Sequence, residues 1–353
     1  MHLIVSILIR IVLTIALVGA YTMFALGIVF IYRGSKVLNL AHGAMAMFPA
    51  YIAYSVATGS TPLLLRVTLG VSAGLAGGIA SYPRLRKRFN FATSIALSLI
   101  AAAAGALITF TLFKHKLPPL LALLTALLVG GAIGFVVERL VVRRLRASSP
   151  TAQTVGTVAV LGLLIALAAR IWGTTPIRGP NIFPAKVFPV GNSNLQLGDI
   201  GLFVVALIVA AGFMALFKFT DLGLALRAAA DNRRAAALMG IDPDRTTSLA
   251  WVFAGALAAL GGVLLGASTN LHPFTLSLQV LPAFVAALIG GLESVQGALY
   301  GSLIVGLTVG IVPTLPGFGK QVGAAQVGLA ILAFAVMIFR GQRFSASDVR
   351  SGL

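Results

Sequence analysis

Cysteine is absent from this 353-residue chain, which excludes a disulfide framework and any thiolate metal site. Acidic residues are scarce as well, with eight Asp and Glu against 26 Lys and Arg. Only 10% of the residues are charged while 59% are hydrophobic. Soluble domains carry about a quarter charged residues, so the composition is that of an integral membrane protein. Alternating apolar segments of about ten residues, the mark of a membrane β-barrel, do not occur. The apolar runs are long, and an unpaired backbone is too costly in lipid for any open form other than a helix. The expected fold class is therefore all-α, a polytopic transmembrane helical bundle.

Motifs for chemistry and for an internal power source are also lacking. The run GFGK at 317–320 resembles a phosphate loop in part, but the required first glycine is Thr314 and the residue after Lys320 is Gln321. No HExxH occurs, and the four histidines His2, His42, His115 and His272 are scattered. No pair of carboxylates sits in a span, where a proton- or sodium-coupled carrier would need ionisable groups. The chain reads as a transport subunit rather than an enzyme, with no cofactor of its own. Uphill movement of a solute would draw its energy from a partner.

A helix of about 20 apolar residues crosses the hydrocarbon. That length picks out eleven segments, at 9–31, 38–57, 62–82, 91–113, 118–142, 151–172, 199–218, 247–270, 276–291, 294–312 and 322–340. The ninth is short enough to be half a span. The first lacks the basic flank and small-residue cleavage site of a signal peptide and reads as an uncleaved span. With the C-terminus inside and the N-terminus outside, 18 of the 26 basic residues fall in inner loops, as the positive-inside rule requires. The formal charge of +18 is thus a membrane-topology signal and not a nucleic-acid footprint. The run RLRKRF at 84–89 is a topology determinant on the same grounds.

One polar island stands out, from Lys218 to Thr247. It holds four of the eight acidic residues, Asp221, Asp231, Asp242 and Asp244, and five basic ones. Alanine-rich composition makes it helical. Asp231 or Asn232 is placed to cap a second short helix running to Met239. Gly240 stands where a helix C′ glycine belongs, and Asp242 followed by Pro243 starts the next helix. The island is predicted to be a rigid cytoplasmic lever of short helices. A surface helix resting on the inner leaflet is the plainer alternative.

Elsewhere, Asn39, His42 and Gly43 sit where the first two spans meet, followed by Pro49. Polar and helix-breaking residues there suit a broken helix lining a solute path, or an interfacial turn with Asn39 as a cap. Gly290 and Gly291 interrupt a later apolar run and suggest a second discontinuous helix or a tight hairpin. The pairs Gly130 with Gly134, Gly262 with Gly266, Gly297 with Gly301 and Gly306 with Gly310 suit close helix packing. Glu138 and Arg139 read as a snorkelling pair at the inner interface. Residues 173–198, with four prolines, form a long outer loop, either a docking surface or a connector.

Several stretches together resemble one family. They are VLNLAHGAMAM (37–47), ERLVVRRLR (138–146), LGLALRAAADNRRAAALMGIDPDRTTSLAWVFAGALAALGGVLLG (222–266) and IGGLESVQGALYGSLIVG (289–306). Their order and spacing are similar to those of branched-chain amino acid permeases of the LivH/LivM type, the membrane subunits of ABC importers. The resemblance implies a single permease domain over 1–353, with 218–247 as an ATPase-coupling loop. It implies cytoplasmic ABC ATPase subunits that bind ATP and Mg, a second permease subunit (like or unlike), an extracytoplasmic solute-binding protein and surrounding membrane lipid. On that basis Arg227, Asp231, Gly240 and Ile241 are the expected coupling residues, and Asn39, His42 and Gly43 line the expected path, His42 holding bent backbone. Two departures stand out: residues 62–113 read as an inserted pair of spans, and Pro49 replaces a glycine of the motif. The expected solute is a branched-chain or related small amino acid taken up into a bacterial cytoplasm. The alternatives are a similar permease for urea or short amides, a stand-alone channel or carrier, and a structural scaffold.

Overall fold

Two helices form the centre of the molecule, and the others are arranged around them. The computed structural model describes residues 9, 11–62, 100, 103, 115–190, 193–315 and 323–350. In chain order the helices are α1 (Ile15–Ser35), α2 (His42–Thr58), α3 (Pro119–Val137), α4 (Pro150–Trp172), α5 (Leu197–Phe219), α6 (Asp221–Asp231), α7 (Arg233–Leu238), α8 (Pro243–Ser268), α9 (Pro273–Leu278), α10 (Val280–Gly290), α11 (Val295–Ile311) and α12 (Ala324–Arg350). α1 and α8 are buried along most of their length, whereas α4 and α5 turn most of their surface outward. α8 lies against α1, α2 and α3, and α1 also packs on α5, α10 and α11.

Composition explains that arrangement. α8 carries Gly255, Gly261, Gly262 and Gly266 along its buried length, so neighbouring backbones can reach it closely. Gly255 faces the Gly130 carbonyl of α3, and Gly134 faces the Trp251 carbonyl of α8; a Cβ at any of these glycines would collide with backbone. α4 and α5 present Val155, Leu163, Val204 and Ile208 outward. Trp251 is fully buried behind the α3 contact and donates to Ser35 Oγ at 3.3 Å.

Among the described residues, six helices, α1, α3 with the turn after it, α4, α5, α8 and the pair α9–α10, are long and apolar enough to cross a membrane. Nine of the eleven expected segments fall on described helices. The expected inserted pair at 62–113 lies almost wholly outside the described residues. Boundaries shift in several places. α1 runs on to Ser35, closed by Lys36 in the left-handed conformation at φ 56°. The ninth segment is broken at Gln279 into α9 and α10. Gly291, at φ 84°, then ends α10, and Ser294 caps α11 by accepting from the Gly297 N–H. The double glycine is thus a tight hairpin, closed by mutual contact of Gly290 and Gly297.

The loop at 173–198 holds short β-structure. β2 (Val187–Val190) pairs antiparallel with β3 (Ser193–Gln196), and β1 (Ile177–Arg178) pairs with β4 (Asn270–Leu271). The second pairing ties the loop to the far end of α8, where the Gly179 N–H donates to the Gly266 carbonyl at 3.0 Å.

Candidate functional site

The polar island folds as its cap signals require. Thr220 accepts from the Gly223 N–H and opens α6. Asn232 closes α6 and opens α7, its Oδ1 accepting from the N–H groups of Arg234 and Ala235 at 3.0 Å each. Asn232 is therefore the cap, and Asp231 ends the preceding helix. Gly240 takes φ 82°, its N–H donates to Ala237, and the Ile241 N–H donates to Ala236 at 3.0 Å. Those two bonds form a Schellman closure. Asp242 then accepts from Asp244 and Arg245 at 2.9 and 3.1 Å and opens α8.

This geometry leaves an apolar knob at the tip. Leu238 is 88% exposed and Met239 82%, held by a closed turn and backed by buried Ala236. Sequence reading counted both as ordinary helix residues; no periodic signal marks them as the end of the lever. Arg227 and Asp231 sit on the exposed side of α6, within electrostatic range of Arg33. Gly240 is exposed and Ile241 half-buried. The four expected coupling residues thus share one lobe of the molecule.

A charge cluster underlies this lobe. Glu138 has no solvent exposure, yet it accepts from Arg143 Nε at 2.9 Å and Nη2 at 3.1 Å, and from Ser248 Oγ at 2.7 Å. The expected pairing of Glu138 with Arg139 as a snorkelling anchor is wrong. Residues 138–142 form a π-turn, closed by the Arg143 N–H on the Glu138 carbonyl at 2.7 Å. The wider turn brings residues five apart together, so Arg143 is the partner, while Arg139 is exposed. The hydrogen bond to Glu138 raises the Arg143 guanidinium pKa further above its ordinary value. Arg143 also donates to the Asp244 carbonyl at 3.0 Å, and Arg146 donates to Asp244 Oδ1 at 2.6 Å. From α7, Arg233 pairs with the same Asp244 oxygen and donates to Thr247 Oγ1 at 3.1 Å. Thr247 in turn donates to the Gly34 carbonyl of α1 at 3.0 Å. Only the i, i+5 spacing within ERLVVRR hinted at this cluster.

The expected path residues form a separate group where α1, α2, α8 and α9 meet. Asn39 is buried; its Oδ1 accepts from the Ala41 N–H at 3.1 Å and its Nδ2 lies 3.2 Å from Met45 Sδ. The chain between Lys36 and Ala41 is non-helical, and α2 restarts at His42. The His42 ring is fully buried against Gly27 of α1 and edge-on to Phe24, with ring centroids 6.4 Å apart. Neither ring nitrogen has a hydrogen-bond partner of ordinary geometry among the described residues. Gly43 meets the Ser277 carbonyl of α9, leaving no room for a side chain. Pro49 lies inside α2, which continues past it to Thr58. At the lobe end, Lys36 pairs with Glu293 beside the α10–α11 hairpin.

A family model described as "Branched-chain amino acid transport system / permease component" matches residues 88–340. The chain belongs to that family. The high-affinity branched-chain amino acid transport permease LivH of Escherichia coli K12 is 23% identical over 302 residues, covering 83% of this chain and 82% of LivH. BraD of Pseudomonas aeruginosa, a permease of the same description, is 26% identical over 332 residues, covering 91% and 90%. The galactofuranose transporter permease YtfT of E. coli K12 is 30% identical over 150 residues, covering 40% and 43%. No solved structure gives a significant match. This member of the family is a multi-pass membrane transport protein, and its candidate site residues fall in two groups, at a buried helix break and on the exposed polar lobe.

Proposed function

We propose that this protein is the membrane subunit of an ABC importer that carries branched-chain or related small amino acids into the bacterial cytoplasm across the inner membrane. The observation that carries the reading is the capped α6–α7 lever with Leu238 and Met239 exposed at its tip. An exposed apolar pair at the end of a closed, capped turn suits a groove on a partner, which would cover it. The family's division of labour makes that partner an ATPase that binds ATP and Mg. A binding protein delivers the solute to the opposite face, and a second permease copy or relative completes the path.

The amino acid assignment rests on coverage. LivH and BraD match over 83% and 91% of the chain, whereas the galactofuranose and fructose permeases match over 40% and 69% of it. The substrate reading is tested by titrating the cognate binding protein with leucine, isoleucine, valine, urea and acetamide. Micromolar or tighter binding of the branched amino acids supports it; binding of urea or acetamide alone contradicts it. The partner reading is tested by purifying the tagged permease from native membranes. A stoichiometric ATP-hydrolysing subunit is expected, and a permease that transports with none would overturn it.

A further inference from the structure

The Glu138 cluster is an unusual feature for the end of a membrane helix. A carboxylate without solvent exposure loses its hydration, and the attraction of its partners does little more than offset that loss. A well-packed apolar side chain at the same place would serve stability as well. Such ion clusters are best explained where they fix register or couple parts that move. The partners here lie on separate elements. Glu138 and Arg143 flank the π-turn after α3, Ser248 and Asp244 begin α8, and Arg233 begins α7.

The connectivity runs from tip to core without a gap. α7 is six residues long, with Ala236 its buried residue, so it has little packing of its own through which to pass a displacement. Its strongest attachment to the membrane helices is Arg233, which holds Asp244 and Thr247 on α8. From Asp244 the contacts pass through Arg143 and Arg146 to Glu138 and so to α3. From Thr247 they pass to the Gly34 carbonyl at the end of α1. Gly34 lies just before the break that carries Asn39 and His42. The largely buried α1 and α8, and α3 interlocked with α8, are thus all reached from one arginine of the lever.

We propose that Arg233, Asp244 and Glu138 form a clasp through which movement of α7 reaches the membrane helices, with Arg233 and Glu138 as positioning residues for transport. This rests on the importer reading and adds the route of coupling to it. Charge-paired contacts suit the task because they resist shear between α7 and α8 without a large apolar interface. The fixed guanidinium fork of arginine holds direction as well as charge.

The test uses the whole transporter, co-expressed with its cognate ATPase and binding protein and reconstituted in proteoliposomes, with labelled leucine as the probe. ATP hydrolysed and leucine imported are measured together. Arg233→Gln and Glu138→Gln are each expected to lower uptake about tenfold, a common size for a lost coupling. The ATPase should remain bound and hydrolysis near the wild-type rate, so the ATP used per leucine rises. Arg233→Lys should recover part of the uptake. Arg144→Gln, which removes a neighbouring exposed arginine, should match wild type. Uptake and hydrolysis falling in proportion, or both unchanged, would overturn the clasp. If Arg233→Gln does not assemble, Glu138→Gln puts the same question from the other end. ATP-independent uptake by the wild type would instead remove the importer reading itself, and the two failures are distinguishable because only the second appears without a mutation.

Discussion

Arg143 grips Glu138 through two nitrogens, at 2.9 and 3.1 Å, across a π-turn that brings together side chains five residues apart. The pair lies beneath the first turn of α8, and Ser248 completes the carboxylate's set of donors. Removing one partner of a buried ion pair is far worse than neutralising it, because a charge is left without compensation. Arg143→Ala is therefore expected to destabilise the protein by about 3 kcal/mol. Glu138→Gln, which keeps the shape and removes the charge, should cost clearly less. Thermal unfolding in detergent checks the order, and equal losses would contradict this account of the cluster.

The α3–α8 contact depends on glycine at Gly130, Gly134 and Gly255, since backbone fills the space of each missing side chain. Gly134→Ala should push the Trp251 turn aside and cost about 1–3 kcal/mol, as overpacking does. Gly162 is the internal control, because nothing lies within 4 Å of a side chain there. Gly162→Ala should leave the unfolding temperature unchanged or raise it slightly.

Gly240 closes the lever with a positive φ and an N–H bond to Ala237. Proline would remove the donor and force φ negative. Gly240→Pro is expected to leave the protein in the membrane at normal levels and to separate ATP hydrolysis from uptake. Arg227→Glu, on the exposed face of α6, should act in the same direction. Normal coupling in both variants would show that the lever shape does not matter.

Replacing the tip apolar pair by Leu238→Asp with Met239→Asp should abolish co-purification of the ATPase. Both side chains are exposed, so folding of the permease itself should not change. Retention of the ATPase at wild-type stoichiometry would move the docking surface elsewhere.

His42 is packed against Gly27 at the helix break, with no solvent exposure. His42→Ala is expected to reduce the uptake rate without affecting assembly with the ATPase. Uptake kinetics indistinguishable from wild type would remove this residue from the path.

Much of the scaffold was legible in the sequence. Apolar length placed nine segments on described helices, and the caps at Asp231 or Asn232, at Gly240 and at Asp242 followed from local backbone chemistry that needs no tertiary context. The double glycine at 290–291 resolved into a hairpin, one of the two readings its composition allowed. What could not be read is equally physical. A π-turn has no periodic signature in five residues, so Glu138 was assigned to the wrong arginine. The knob at Leu238 and Met239 was hidden because exposure depends on what the fold leaves uncovered, and alanine-rich helices look alike whether they are buried or not. Of the two readings of Asn39, the cap does not hold: its side chain serves the turn before α2 and not the helix start, which has no side-chain cap.

The central claim is that the power source lies outside this chain and acts through the lever. Its most direct test is leucine uptake into proteoliposomes holding the permease alone, the permease with its ATPase, and the permease with ATPase, ATP and loaded binding protein. Accumulation against a gradient in the last arm only is the predicted result. Accumulation by the permease alone would contradict the claim.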